Sequence, residues 1–222
     1  MLKYDWSLLI KSKWRIMETF YFPLATLVLW GFFLIYARPF AFQIGMIIVT
    51  IQVFWVMASL AQTTISLQMM DDIWTRSLRE LLISPLTPIE FLTGRILLAI
   101  TRATLIITVL ITASHFVLKL KLLDNIVFTS VSVLLTLFAS MGLAIFTISF
   151  ILILGREYGF LAWSITEAVF FLSAPFYPVS VFPEPLRTFV HIFPYTWIFE
   201  GIRIYVSTNT FDKSIFMMGG FL

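Results

Sequence analysis

Cysteine is absent from this 222-residue chain, which excludes disulfides, thiolate metal sites and thiol catalysis. Charge is scarce too: Asp, Glu, Lys and Arg make up 12% of the residues, against ~25% in an ordinary soluble domain. Neither G-x-x-x-x-G-K-[ST] nor G-x-G-x-x-G occurs, so the chain has no phosphate-cradling loop with which to hydrolyse a nucleotide. The two histidines, His115 and His191, lack neighbours at metal-ligand spacing and read as polar side chains near a membrane interface. No serine has a base and an orienting acid at hand. No catalytic or metal-binding residue is therefore assigned, and the chain is not expected to be an enzyme or to bind a cofactor of its own. An internal repeat is also missing, in particular the inverted pair of broken helices found in many secondary carriers.

What is present is apolar: 60% of residues are hydrophobic and 17% aromatic. A soluble fold of this size has too much surface to hide that much hydrocarbon, whereas lipid solvates it directly. The chain reads as an all-α, polytopic helical membrane protein in contact with membrane lipid. The net charge of +3 is modest and gathers at the edges of apolar runs, which is a topology signal and not a nucleic-acid footprint. Residues 1–18 lack the continuous apolar core and small-residue cleavage site of a secretory signal.

A helical span needs ~20 mostly apolar residues. Runs that meet or approach this lie at 20–36, 42–69, 94–118, 126–154 and 158–176, and all of residues 1–222 form one transmembrane domain. Ahead of them, Trp6, Leu9, Ile10 and Trp14 interleave with Lys3, Lys11, Lys13 and Arg15, which suits either an amphipathic helix in the headgroup layer over 1–18 or a plain lead-in to the first span. A sixth apolar run starts near Lys213 and is too short by Leu222 to cross, so the last helix is either incomplete or cut short. Lys3, Lys11, Lys13, Arg15, Arg76, Arg79, Arg95 and Arg156 fall on one side and Arg38, Lys119, Lys121, Arg187, Arg203 and Lys213 on the other, a bias that favours a cytoplasmic N-terminus in a multi-pass cell-membrane protein.

Polar residues recur at helical spacing inside the spans: Gln52, Ser59, Thr63 and Ser66; Thr101, Thr104, Thr108, Thr112 and His115; Ser132, Thr136, Ser140 and Thr147. They suit either helix-to-helix hydrogen bonds, at ~0.6 kcal/mol each, or the lining of a translocation path. Glu167 is a carboxylate well inside a span, where an ionised acid costs ~2.5–3.5 kcal/mol on insertion scales. It is expected to face protein or water, as a substrate contact or as a structural hydrogen-bond partner. Arg102 lies near the cytoplasmic end of its span and is expected to snorkel to the interface.

Between the second and third spans, residues 71–90 carry charge, then Leu78, Leu81, Leu82 and Ile83, then Ser84-Pro85. Thr87, Pro88 and Glu90 have the N-cap, N1 and N3 pattern of a new helix. A rigid helix welded between two spans is a mechanical handle. Leu78 to Arg95, L-R-E-L-L-I-S-P-L-T-P-I-E-F-L-T-G-R, resembles the cytoplasmic loop of type-2 ATP-binding-cassette (ABC) exporter permeases, which typically reads G-T-L-E-x-L-L-x-[ST]-P followed by Gly-Lys or Gly-Arg. F-Y-P-V-S-V-F-P-E-P-L at 176–186 and F-P-Y-T-W-I-F-E-G-I-R at 193–203 are similar to that family's signature between the fifth and sixth spans. Arg76 stands where the family usually has Gly, Arg79 where it often has Glu, and Ala174-Pro175 where it commonly has a Gly-containing dipeptide.

The resemblance implies a six-span permease of an ATP-driven exporter for a drug, lipid or polysaccharide. It implies a separate ABC ATPase subunit holding ATP and Mg, and a second permease copy in a homodimer or related heterodimer. By the same resemblance, Arg76, Arg79, Glu80, Ser84, Pro85 and Glu90 would dock the ATPase through a coupling helix, and Pro178, Pro183, Glu184, Pro194, Glu200 and Arg203 would shape outer re-entrant helices over 177–195. Glu200 and Arg203, three apart on one helical face, are placed to pair. Gln52, Ser59, Thr104, Thr108, Thr136 and Glu167 are the candidates for the substrate path. An ion-gradient-driven secondary carrier is the alternative, disfavoured by the lack of paired intramembrane charges; a membrane-embedded enzyme is a third reading.

Overall fold

With no water in the hydrocarbon layer to serve N–H and C=O groups, a spanning chain satisfies its backbone within helices. The computed structural model describes residues 13–74, 87–120, 122–211 and 214–215. Among these the elements are α1 (Lys13–Trp74), α2 (Pro88–Leu118), α3 (Ile126–Leu154), α4 (Leu161–Leu172), α5 (Glu184–Val190) and α6 (Pro194–Thr208), with 3-10 turns at Arg156–Phe160 and Val179–Val181 and no strand. Residues 1–12, which hold most of the expected interfacial helix, and all but Ser214 and Ile215 of the expected sixth span lie outside the described residues. So does 75–86, with Arg76, Arg79, Glu80, Ser84 and Pro85.

Among the described residues, three helices contain stretches long and apolar enough to cross a membrane: Thr19–Asp72, Ile89–Leu118 and Ile126–Leu154. The first of these folds back on itself. Helical geometry fails at Ala41 (φ −151°, ψ 42°), just after Pro39, whose ring removes a donor and crowds the preceding turn. A Cβ added at Gly45 would lie 2.9 Å from Leu34 Cδ1 and 3.5 Å from Ala37 Cβ. In an unbroken helix, residues that far apart in sequence are ~16 Å from each other, so the two arms form a hairpin. Leu34 and Ala37 are buried against the returning arm.

The remaining ends are set by local chemistry. Thr87 and Glu90 form a reciprocal capping box at the start of α2, Glu90 N donating to Thr87 Oγ1 (3.3 Å) and Thr87 N to Glu90 Oε2 (2.8 Å). Lys119 closes α2 in the left-handed region (φ 57°). Asn125 Oδ1 caps α3 by accepting from Phe128 N at 3.0 Å. The fifth apolar run is shorter as regular helix than its hydropathy suggests. Ser173 Oγ donates back to Val169 O at 2.7 Å and Ala174 turns left-handed (φ 55°), so α4 stops at Leu172. The 3-10 turn and α4 together reach ~28 Å, close to the hydrocarbon thickness.

Helices in lipid gain little from hydrophobic transfer and associate through close packing. Trp55 on the returning arm of α1 stacks on Phe170 of α4 (centroids 4.5 Å apart) and meets Tyr195 and Phe199 of α6 edge-on. Phe128 of α3 stacks on Tyr205 of α6 at 3.7 Å, and Trp30 on Phe176 at 5.6 Å. Large apolar side chains such as Phe32, Phe138 and Ile153 point outward instead. Lipid, unlike water, accommodates them without cost.

Candidate coupling and transport site

Residues 75–86 leave α1 and rejoin at α2, and two side chains tie those helices together at the point of departure. Arg95 donates from NH2 to Asp72 Oδ2 at 2.7 Å and from NH1 to Gln68 Oε1 at 3.0 Å. Its guanidinium also lies 5.3 Å from the ring centre of Phe91. Both carboxylate and guanidinium are largely buried. Glu90, expected to dock a partner, is exposed and spends its carboxylate on the α2 cap, bonding both Thr87 N and Thr87 Oγ1.

A second tie lies deeper. Arg102 does not snorkel. It is buried, donating from NH2 and Nε to Thr19 Oγ1 (2.6 and 3.2 Å) and from NH1 to Thr64 Oγ1 (2.9 Å). The reason is that α2 packs against both arms of α1, where hydroxyls on two helices offer closer acceptors than the headgroup layer. Gln62, fully buried, donates from Nε2 to Ser66 Oγ (3.1 Å), Ala162 O (3.3 Å) and Thr147 Oγ1 (3.5 Å), so one amide joins α1, α3 and α4. Among the described residues, buried Gln62 Oε1 and Gln68 Nε2 have no hydrogen-bond partner. The sequence reading missed Thr19, Gln62, Thr64 and Gln68, although two glutamines six residues apart in an apolar span were a signal.

The candidate path residues do not converge. Gln52 is buried beside a small pocket lined by Pro23, Thr26 and Trp30. Ser59 is half-buried and donates to Val56 O, and Thr136 is buried in α3, donating to Ser132 O. Thr104 and Thr108 lie on the outward face of α2, where the Thr108 hydroxyl returns to Thr104 O at 2.8 Å. Glu167 lies on the outward face of α4. A groove of ~610 Å³ runs beside α3, lined by Phe138, Gly142, Phe146, Phe193, Pro194 and Tyr195, and none of the candidates enters it.

The segment from Ser173 to Phe193 turns repeatedly, yet its polar backbone finds partners. Arg203 on α6 donates from NH2 to Ala174 O (3.0 Å) and Tyr177 O (2.9 Å) and from NH1 to Glu200 Oε1 (2.6 Å). The same carboxylate oxygen accepts from Val179 N at 3.0 Å. Pro178 and Pro183, which lack donors, serve as acceptors: Val181 N reaches Pro178 O, while Leu186 N and Arg187 N reach Pro183 O. Glu184, in the first turn of α5, pairs with Arg187 at 2.7 Å, and Arg187 also donates to Ser180 O. Pro194 opens α6, where Thr196 Oγ1 donates to Val190 O and Trp197 Nε1 to His191 O. Irregular backbone served in this way is compatible with burial at membrane depth. His115 Nδ1 and His191 Nδ1 contact Leu120 O and Arg187 O, and no metal-holding group of side chains exists among the described residues.

A polytopic helical membrane protein, with a bracketed linker at one end and a hydrogen-bonded turn network at the other, is the class that these features define. The chain belongs to the ABC-2 type transporter family, whose sequence model matches residues 4–206. It is therefore a membrane subunit of an ABC transporter, the non-catalytic transport component of a family whose members usually work with an ABC ATPase. No curated protein matches the chain.

Proposed function

We propose that this chain is the permease of an ATP-driven exporter, with its N-terminus cytoplasmic and residues 75–86 as the docking point of a separate ATPase that holds ATP and Mg. The observation that carries this reading is the Asp72–Arg95 pair. A load applied to a linker whose two anchoring helices are bonded at their base moves both as one body, whereas unlinked helices would splay. The deeper bonds of Arg102 to Thr19 and Thr64, and of Gln62 to Ser66 and Ala162, extend that body into the bundle. At the opposite end, Glu200 and Arg203 tie the turn network to α6. Motion transmitted from the ATPase then separates this bundle from a second permease copy and opens a path between them for a drug-, lipid- or polysaccharide-like cargo.

Two measurements test this. Purified chain should recover an ATPase bearing G-x-x-x-x-G-K-[ST], and vesicles containing both should move cargo only with ATP. Charge reversal at Arg79 and Glu80 should abolish that recovery while leaving membrane insertion intact. Uptake driven by a proton or sodium gradient with no ATPase present would reject the reading.

A further inference from the structure

On α4 the buried residues Ala162, Thr166, Val169 and Phe170 define the packed side. Phe160, in the turn just before the helix, and Trp163, Ser164, Glu167 and Phe171 point the other way, and all are exposed. The spacing of Trp163, Glu167 and Phe171, four residues apart in each case, stacks two aromatic rings above and below one carboxylate. Phe160, Trp163 and Phe171 are 56%, 50% and 57% exposed, so this face is not filled by the chain's own packing. Among the described residues Glu167 has no hydrogen bond or ion pair.

A carboxylate directed out of an apolar helix is unfavourable against hydrocarbon, so whatever covers this face must answer its charge. A second copy does not supply the answer from within its spans. Arg95 and Arg102 are buried against their own chain, Arg203 is spent on Glu200, Ala174 and Tyr177, and Arg38, which is exposed, lies at the hairpin bend against the Phe42 ring. Aromatic faces beside a carboxylate attract a cation with an apolar body, through the ring quadrupole and hydrophobic contact together. An anion gains from neither ring nor charge, and a neutral sugar, though it stacks on a ring and donates hydroxyls to a carboxylate, leaves the charge unanswered.

We propose that Glu167, flanked by Trp163 and Phe171, is the recognition site for a lipophilic cation. This names the cargo chemistry of the exporter reading and rests on it. Three rings on one helical side favour a bulky, delocalised cation over a small hydrated one, because a hydrated ion would have to lose its water to reach them.

The probe is tetraphenylphosphonium, with tetraphenylborate as its near-isosteric anion, measured by equilibrium binding to the chain purified in lipid nanodiscs with whatever subunits accompany it. Above the partitioning of each ion into protein-free nanodiscs of the same lipid, the cation should bind and the anion should not. Glu167→Gln should weaken cation binding at least ~tenfold, and Trp163→Leu by ~threefold or more, while Trp163→Phe stays near wild type. If Glu167→Gln does not fold, Glu167→Asp decides: retained preference for the cation supports the site, and loss of charge discrimination overturns it. Equal binding of both ions, or unchanged cation binding in Glu167→Gln, also overturns it. So does a shift of that variant from dimer to monomer with cation binding unaltered. Specific cation binding in a preparation that shows no ATP-dependent transport would sink the exporter reading and leave the site standing. ATP-dependent transport without charge discrimination would do the reverse.

Discussion

Arg95 of α2 and Asp72 of α1 meet at 2.7 Å, joining the two helices that residues 75–86 connect in sequence. The guanidinium is buried and the carboxylate half-buried, so each charge gains from having the other beside it. The pair thus converts two chain ends into one anchor, and Gln68 orients the guanidinium from the same side. Its worth is better measured by breaking it than by counting it.

Substituting Asp72→Asn or Arg95→Met should destabilise the bundle by ~1–3 kcal/mol each, because a largely buried charge loses its ion-pair partner. The double variant should recover part of that loss. Thermal unfolding in detergent across the four-member cycle checks it; if the single effects simply add, no coupling exists. On the proposed function, either single variant should also lower cargo movement per ATP hydrolysed.

Arg203 serves two carbonyls and a carboxylate with one planar fork. Lysine is a point donor on a flexible stem and cannot reproduce that geometry. Arg203→Lys should therefore loosen residues 174–179 nearly as much as Arg203→Met. Amide hydrogen exchange at Val179, whose N–H is held by Glu200, is the readout. Protection equal to wild type in Arg203→Lys would show that the fork is dispensable.

Gly45 divides two substitutions that look alike. An added methyl meets the tip of Leu34, a flexible end that can yield, and alanine gains helix propensity over glycine. Gly45→Ala should thus lie within ~1 kcal/mol of wild type. Gly45→Val adds branches facing Ala37 and should cost ~1–3 kcal/mol by overpacking. Midpoint shifts in thermal unfolding separate the two, and equal shifts would mean that the hairpin is looser than the Leu34 contact indicates.

Thr87 is a local test of the linker boundary. Thr87→Ala removes the hydroxyl that accepts Glu90 N and should cost ~1 kcal/mol through fraying of the first turn of α2. Helicity measured by hydrogen exchange over 88–92 should fall with no change beyond Arg95.

The capping box and the Glu200–Arg203 pair were both legible in the sequence, because each is set by spacing within one helix. The long apolar runs of α2 and α3 announced themselves for the same reason. Arg102 was not legible: its acceptors, Thr19 and Thr64, lie on other stretches of chain, and periodicity reports which face is polar without saying what faces it. Likewise Gln62 was passed over in favour of Thr63, its neighbour, since only packing shows which of the two turns inward. The early stop of α4 depends on Ala174 adopting a positive φ, a conformation that alanine composition gives no reason to expect.

The hairpin at Ala41 spends a single non-helical residue on reversing direction. Side chains around it, Phe40 and Phe42 among them, are exposed, but the turn has no spare loop, so an insertion would have to prise apart the helices on either side. Reporters meant to follow opening and closing are better grafted at Leu123 and Asp124, exposed residues of the turn before α3, where the backbone already departs from helix. A fluorophore placed at the Ala41 bend would register the rigid-body swing of the pair and stay blind to any hinge within it.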